Sequence, residues 1–252
     1  MVFRPLSNLF RSAEPEPCRI PEGRRVYAIG DIHGRSDLFE QLLRLIAEDE
    51  RGRCPADTEI ILLGDLIDRG PDSKGVVERA MALARARPAR CLMGNHEEVF
   101  LRALEGDARA LRFLGRIGGR ETLLSYGIGD RDYRELDHDA LMAVLRRQVP
   151  AEHVEFLSGF ESWIEVGDYL FVHAGIRPHV ALEEQAQSDL CWIREEFLNH
   201  RESFGKVVVH GHSITDRVDL RSNRIGIDTG AYASDRLTAI GVEGEERWFL
   251  ST

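Results

Sequence analysis

A strand–loop–helix pattern that repeats three times after residue 24 constrains the fold more than any other feature of the sequence. In each repeat a glycine stops a short apolar run, and apolar residues at helical spacing follow it. The apolar runs span 26–29, 60–63 and 90–93. Three consecutive units of this kind predict an α/β sheet in which neighbouring strands are parallel.

The second half of the chain has a different pattern. The stretch 105–159 is mostly helical with a glycine-rich break at 115–119, and we interpret it as an insertion packed beside the sheet core. Strand patterns dominate after it, at 163–166, 169–172, 207–209, 224–227, 237–242 and 247–250. We therefore predict an α/β fold of two packed mixed β-sheets flanked by helices, a four-layer sandwich. One domain over 22–252 would follow an N-terminal tail over 1–21.

The composition supports a folded chain and excludes some partners. With 252 residues, of which 43% are hydrophobic, the chain can bury a full core. A formal net charge of −10 argues against binding nucleic acid through its phosphates. No apolar run is long enough to span a membrane, and the first residues lack the continuous apolar region of a signal peptide. The four cysteines are not clustered, so we expect a cytoplasmic protein without a thiolate metal site.

Five strand ends carry residues that can bind metal ions, each next to glycine. The loops are Gly30–Gly34, Gly64–Gly70, Gly94–Glu97, His173–Gly175 and His210–His212. Because ligand sites in open α/β sheets lie at the carboxyl ends of strands, we expect these loops to converge on one crevice. A single aspartate there is usually a helix N-cap, and a single histidine is usually exposed or satisfied in the core. Five loops with the same pattern favour a metal site instead.

The ligand types indicate two cations. Carboxylates, an amide and imidazoles without thiolates suit Mn²⁺, Fe or Zn²⁺ better than Ca²⁺. Asp31, Asp65, Asn95 and three histidines exceed one tetrahedral site, which argues for two ions that share a carboxylate. We therefore expect two divalent metal ions, with Mn²⁺ as the first choice. Paired ions can hold an attacking hydroxide and orient an in-line displacement at phosphorus.

The blocks GDIHG, GDLIDRG, GNHE, HAG and HGHS, in this order between residues 30 and 213, resemble a known family. It is the phosphoprotein phosphatase family of calcineurin-like metallophosphoesterases, especially its bacteriophage and bacterial serine/threonine phosphatases. The stretch 223–232 is also similar to this family. The resemblance implies the metallophosphoesterase sandwich fold and a dinuclear metal centre.

The resemblance also implies which residues hold the metals. The first ion would be held by Asp31, His33 and Asp65, and the second by Asp65, Asn95, His173 and His212. Asp65 would bridge the two ions. His212 is preferred to His210 because the family ligand in the last block is the histidine that follows glycine. The loop after it departs from the family, since Ser213 and Ile214 stand where relatives usually have threonine and proline.

The catalytic residues implied by the resemblance are His96 and Asp68. His96 would be the general acid that protonates the leaving alkoxide, and Asp68 would hydrogen-bond it and hold it as the imidazolium. Phosphate oxygens would be bound by Arg69, Asn95 and Arg194. The planar guanidinium of the two arginines matches phosphate geometry.

Three functions are compatible with these residues: hydrolysis of phosphoproteins, cleavage of symmetrical dinucleoside tetraphosphates, and a non-enzymatic binding role. Asp68 and Glu97 favour a serine/threonine phosphoprotein phosphatase, since the related tetraphosphatases usually lack the former and read GNHD. The alternative is a symmetrical dinucleoside tetraphosphatase. We expect a phosphorylated protein or small phosphoester as substrate, attacked directly by a metal-bridging hydroxide without a phosphoenzyme. The native metal and the oligomeric state stay open.

Overall fold

The computed structural model describes residues 18–252, which form two five-stranded sheets with helices packed on their outer faces. The strands are β1 (Arg24–Ile29), β2 (Asp57–Leu62), β3 (Ala89–Cys91), β4 (Trp163–Val166), β5 (Tyr169–Val172), β6 (Val207–His210), β7 (Asp219–Leu220), β8 (Arg224–Gly226), β9 (Thr238–Glu243) and β10 (Glu246–Ser251). The helices are α1 (Ser36–Arg51), α2 (Ser73–Ala86), α3 (Asn95–Glu105), α4 (Ala108–Ile117), α5 (Gly119–Ser125), α6 (Asp130–Glu135), α7 (His138–Gln148), α8 (Ala151–Ser158), α9 (Gln187–Trp192), α10 (Glu195–Leu198) and α11 (Ala231–Ser234). A short 3₁₀ turn spans Leu182–Glu184.

Both sheets are mixed, with a parallel centre. The first has the order β10-β9-β1-β2-β3, in which β1, β2 and β3 are parallel and β9 and β10 are antiparallel additions. The second has the order β4-β5-β6-β8-β7, in which β5, β6 and β8 are parallel and both edge strands are antiparallel. The predicted fold class is confirmed. The sequence pattern does not predict β7, because a strand of two residues has no alternation to detect.

The side chains of β1 show how the layers form. Val26 and Ala28 lie in the core between the two sheets, whereas Tyr27 and Ile29 lie in the core beneath the helices of the first sheet. Successive residues of a strand point to opposite faces, so β1 is covered on both sides. The outward side chains of β5 pack in the same way against α9 and α10. The result is a helix–sheet–sheet–helix sandwich with the parallel strand ends on one edge.

Helices α3 to α8 occupy 95–158, which overlaps the predicted helical insertion of 105–159 as far as residue 158. The turn between α4 and α5 reaches the edge where the parallel strands end, because the backbone N–H of Arg69 donates to the carbonyl of Gly118 at 2.9 Å. The limits of the insertion and its role stay predictions.

The described chain begins against the core. Ile20 is buried, and its backbone N–H donates to the carbonyl of Gly244 at 3.0 Å. The predicted N-terminal tail covers 1–21, of which 1–17 lie outside the described residues. Across residues 18–252, no helix combines the length and the apolar character that a membrane crossing requires.

Candidate metal centre

The ends of five strands bring the predicted ligand loops together. The loops after β1, β2 and β3 come from the first sheet, and those after β5 and β6 come from the second. The six predicted ligands, which we call the predicted metal centre, are Asp31, His33, Asp65, Asn95, His173 and His212. All six are at most 6% exposed. Buried carboxylates and imidazoles at such a density need compensating partners, so their contacts decide what this site can hold.

Asp65 lies between two groups of donor atoms. Its Oδ2 is 3.5 Å from His33 Nε2, and its Oδ1 is 3.4 Å from His173 Nε2. Among the described residues, two groups of side chains have ligand atoms close enough for a shared ion: His33, Asp65 and His96 form one, and Asp65, His173 and His212 form the other. This position supports the proposed bridging role of Asp65.

Lone pairs converge around Asn95. Its Oδ1 is 3.0 Å from His173 Nε2 and 2.8 Å from His212 Nδ1. Nδ1 of His173 is 2.7 Å from the carbonyl of Leu63, so it donates there and leaves Nε2 as an acceptor. Burial lowers the pKa of His173, and burial together with the neighbouring His173 lowers the pKa of His212 to about 2. Neutral imidazoles beside an amide oxygen form a cradle that a cation satisfies.

His33 is arranged in the same way on the other side of Asp65. Its Nδ1 is 2.8 Å from the carbonyl of Ile67, which leaves Nε2 directed at the centre. In this structure Arg69 Nη1 donates to that nitrogen at 2.9 Å. The guanidinium thus supplies positive charge at an atom that a metal ion would also satisfy.

Burial and neighbouring carboxylates act together on two carboxyl groups at the centre. Burial, followed by the carboxylates of Asp228 and Asp65, raises the pKa of Asp31 well above its ordinary value. Burial likewise raises the pKa of Asp228 to about 6. Bound cations would relieve this repulsion, and carboxylate, amide and imidazole donors are the types that Mn²⁺, Fe and Zn²⁺ accept. Two divalent cations therefore fit the residues present.

The backbone is strained at the same place. Of the seven non-glycine residues with positive φ in residues 18–252, five are predicted site residues. They are His33 (46°), Asp65 (51°), Asp68 (71°), Arg69 (68°) and His212 (61°). Each such conformation costs about 1–3 kcal/mol and clusters at functional sites in proteins. The surrounding packing holds these five residues in backbone conformations that their intrinsic φ preferences disfavour.

Two glycines allow the loops to approach each other. A Cβ atom on Gly211 would lie 2.0 Å from Asp31 Oδ1, and one on Gly94 would lie 2.3 Å from Asp65 Oδ1. Because Gly211 has no side chain, the backbone N–H of His212 reaches the Asp31 carboxylate and donates to it at 3.0 Å. These contacts give the physical reason for the glycines that precede Asn95 and His212.

His96 and Asp68 form a buried pair next to Asp65. Nδ1 of His96 donates to Asp68 Oδ2 at 2.7 Å, and Thr122 Oγ1 donates to the other oxygen of Asp68. Burial lowers the pKa of His96, but the carboxylates of Asp65 and Asp68 outweigh it, so the net shift is upward. Nε2 of His96 is buried without a partner in the described part of the chain and lies 3.8 Å from Asp65 Oδ2. An unpartnered ring nitrogen of His96 thus lies beside the predicted metal centre.

The two predicted phosphate-binding arginines flank the centre. The guanidinium of Arg69 lies 4.9 Å from the centre of the Tyr232 ring. Arg194 is exposed, and its Nη1 donates to Ser213 Oγ at 3.3 Å, one residue beyond His212. Both guanidinium groups are therefore close to the ligand loops.

His210 is directed away from the donor atoms. Its Nε2 accepts from Arg224 Nη1 at 3.2 Å, and its ring lies edge-on to Phe197. The structure thus groups His212, and not His210, with Asp65.

Two buried carboxyl groups were not assigned functions from the sequence. Glu97 accepts hydrogen bonds from the backbone N–H groups of Asp65, Leu66 and Ile67, at 2.8, 2.7 and 3.3 Å, and so holds the loop that carries the predicted bridging ligand. Asp228 is 1% exposed, and its Oδ2 has no hydrogen-bond partner among residues 18–252. Its signal in the sequence is the same strand-end pattern, because Asp228 follows β8 and precedes Gly230 by two residues.

Comparison with known proteins identifies the family and several relatives. The family model described as calcineurin-like phosphoesterase matches residues 24–238. A symmetrical bis(5'-nucleosyl)-tetraphosphatase of Acidovorax sp. (strain JS42) is 35% identical over 159 residues, covering 63% of this chain and 47% of that protein. This chain thus spans about half the length of the first curated relatives it matches. Serine/threonine-protein phosphatase 1 of Salmonella typhimurium is 30% identical over 235 residues, covering 87% of this chain and 93% of that protein.

The fold also matches solved structures. A crystal structure assigned provisionally as a diadenosine tetraphosphatase superimposes with a TM-score of 0.63 at 20% identity, over 93% of this chain and 98% of that one. Identity at this level shows a shared fold and does not extend to substrate.

Proposed function

This chain belongs to the calcineurin-like phosphoesterase family, whose model matches residues 24–238, and we propose that it is a hydrolase with a dinuclear metal centre. The observation that carries the proposal is the convergence of carboxylate, amide and imidazole donor atoms on both sides of Asp65. Asp31, His33 and Asp65 would hold one cation, and Asp65, Asn95, His173 and His212 would hold the other. When bound, the cations would supply an activated water nucleophile and positive charge for the phosphoryl oxygens.

The protein side chains would bind the phosphoryl group and deliver a proton. Arg69, Arg194 and the Asn95 amide would bind its oxygens from the edge of the centre. Nε2 of His96 would donate a proton to the leaving oxygen, while Asp68 holds the opposite side of the ring. Buried thiols are poor nucleophiles: burial raises the pKa of the Cys91 thiol, and burial raises that of Cys191 to about 12. This supports direct attack by water without a phosphoenzyme.

We place symmetrical dinucleoside tetraphosphates first as substrates. Six curated relatives at 31–35% identity carry the description symmetrical bis(5'-nucleosyl)-tetraphosphatase. Asp68 and Glu97 favour phosphoproteins as substrates, whereas these relatives favour symmetrical dinucleoside tetraphosphates. The match covers 60–63% of this chain, and the support for this substrate class comes from that part alone.

Phosphoproteins are the second candidate, and the His96–Asp68 contact is the observation that favours them. A serine or threonine alkoxide is a poor leaving group that needs a proton in the transition state, whereas a nucleoside diphosphate leaves as a stabilised anion. A histidine held beside a buried carboxylate is suited to the first reaction. The Salmonella phosphatase, which matches over 87% of this chain, points the same way.

The deciding experiment measures kcat/KM for diadenosine tetraphosphate and for a phosphoserine peptide on one metal-loaded preparation. Release of two ADP molecules at a kcat/KM at least about 10-fold above that of the peptide supports the first candidate, and the reverse ratio supports the second. Hydrolysis of neither substrate, with two metal ions bound per chain, would contradict the proposed function. Acid quenching during turnover tests the mechanism, since a covalently phosphorylated protein would exclude direct attack.

A further inference from the structure

An aromatic pair lies beside the predicted metal centre, on the side of His212. Trp192, at the end of α9, has its ring 6.3 Å from that of His212 in an edge-on arrangement. Phe113 of α4 has its ring 5.8 Å from that of Trp192. Phe113 is 38% exposed, which makes it one of only four exposed large hydrophobic residues within residues 18–252. We call Phe113 and Trp192 the aromatic platform.

The platform borders a cavity of about 350 Å³ between α3, α4 and α9. This volume lies within the range of about 300–1,000 Å³ that is usual for small-molecule sites. Val99, Ala110 and the two platform rings form its apolar lining, and its polar lining consists of Arg102, Arg109, Glu98 and Ser188. A flat apolar group that carries polar substituents matches such a lining.

The platform is rigid on its inner side. Trp192 Nε1 donates to Glu98 Oε2 at 2.7 Å, which fixes the orientation of the indole. Arg102 is paired with Asp107, whereas Arg109 has no carboxylate partner in the part of the chain that the structure describes. Arg109 and Phe113 are four residues apart in α4 and therefore share one face of the helix. A fixed ring, an exposed ring and an available cation thus line one side of the cavity.

The position of the platform relative to the phosphate-binding residues indicates its ligand. Trp192 and Arg194 are two residues apart, and Ile193 between them is buried, so the ring and the guanidinium are held by one short segment. In a dinucleoside tetraphosphate cleaved at its centre, two phosphates and a ribose separate each base from the reacting bond. A phosphate chain beside Asp65 and Arg194 would therefore place a base beyond His212, where the aromatic platform lies.

We propose that the aromatic platform binds a purine base of the substrate by stacking, with Arg109 next to the phosphate chain. The proposal rests on the proposed hydrolysis of dinucleoside tetraphosphates and adds the residues that recognise the nucleoside. Stacking of a base on an aromatic side chain is sequence-tolerant and typically strengthens binding about 5- to 150-fold. The platform would thus discriminate nucleotides from phosphates that carry no base.

The test compares Phe113→Ala with wild type in metal-loaded protein, using ADP and pyrophosphate as matched probes in calorimetric titrations. We expect the affinity for ADP to fall about 10-fold while the affinity for pyrophosphate is unchanged, and Phe113→Trp to retain ADP binding. Leu220→Ala is the matched control, because Leu220 is 49% exposed on the edge strand β7. Unchanged ADP affinity in Phe113→Ala, or an equal loss for pyrophosphate, would overturn the proposal.

These titrations do not require turnover, so they separate this inference from the proposed function. If wild type hydrolyses only the phosphopeptide and Phe113→Ala still loses ADP affinity selectively, the platform stands and the substrate proposal fails. If diadenosine tetraphosphate is cleaved with the same KM by both proteins and ADP binds equally, the platform fails and the function stands. A KM that rises only for the phosphopeptide, with ADP affinity intact, assigns the platform to peptide side chains and also overturns the proposal.

Discussion

The contact between His96 and Asp68 predicts how activity depends on the leaving group. Asp68→Asn keeps the size of the side chain, and its amide oxygen can still accept from Thr122. The amide nitrogen would then face His96 Nδ1 and donate to it, so Nδ1 could no longer donate. Nε2 would carry its proton only as part of a neutral imidazole, which is a far weaker acid than the imidazolium.

The expected loss follows from the geometry of the pair. Unit charges 2.7 Å apart attract by about 6 kcal/mol at an effective dielectric constant of about 20. The two side chains are 1% and 0% exposed, so the cost of removing both charges from water offsets most of that attraction. A hydrogen bond between charged groups contributes about 1.5–3 kcal/mol net, which corresponds to about a 10- to 150-fold change in rate.

The assay measures kcat/KM for a phosphoserine peptide, 4-nitrophenyl phosphate and diadenosine tetraphosphate. Asp68→Asn should lower the rate on the peptide by about 10- to 150-fold and on the other two substrates by less than about 3-fold, because their leaving groups need little protonation. In a His96→Asn background, Asp68→Asn should cause no further loss. Metal content measured by mass spectrometry should be unchanged in both variants. Equal losses on all three substrates, or losses that add in the double variant, would refute the acid–carboxylate reasoning.

Three further predictions concern the centre itself. Removal of the metals with a chelator should lower the melting temperature by roughly 5–10 °C, relative to protein in Mn²⁺ at about 100 times its Kd. An identical melting temperature in both states would exclude a metal site in the folded protein. Asp228→Asn should weaken metal binding about 10- to 100-fold in competition titrations and should raise the melting temperature of the metal-free protein, because it removes one of the carboxylates that repel Asp31. An unchanged metal affinity and an unchanged melting temperature would show that Asp228 does not act on the centre. Gly94→Ala should destabilise the protein by about 1–3 kcal/mol in urea unfolding and reduce metal content, since its Cβ would lie 2.3 Å from Asp65 Oδ1. Gly129→Ala is the matched control, because Gly129 also precedes a helix with negative φ and its Cβ would meet only Asp132 Oδ2, at 3.7 Å; an equal loss of stability and metal content in both variants would contradict the reasoning.

Much of the fold could be predicted from local patterns. The apolar runs that end in glycine correspond to β1, β2 and β3, and their parallel pairing follows from the helices between them. The six later strand patterns correspond to β4, β5, β6, β8, β9 and β10. The predicted limits of β4 and β5 agree with the structure, and those of the other strands differ by up to three residues. The ends of strands depend on pairing with neighbours and not only on the apolar pattern.

The candidate site could be predicted only in part. Motif residues such as Asp65 and His173 can be recognised from the sequence, because each follows a strand pattern and has a glycine within two residues. The roles of Glu97 and Asp228 depend on their contacts in the folded protein. The sequence shows neither the three N–H groups that donate to Glu97 nor the unpaired oxygen of Asp228. Substrate class is still less accessible, since the shared motifs occur in both branches of relatives.

The strand–helix alternation, the five glycine-containing loops and the chemical types of the donors can be read from the sequence alone, because each is a local property of a few neighbouring residues. Which donors meet depends on the tertiary structure. It places the His212 backbone against Asp31 across 181 positions of the chain and Asn95 against His212 across 117. It also holds five side chains in left-handed backbone conformations that local preference disfavours. The physical reason is that long-range packing of two sheets supplies the free energy for these contacts, and that term is absent from any short stretch of sequence.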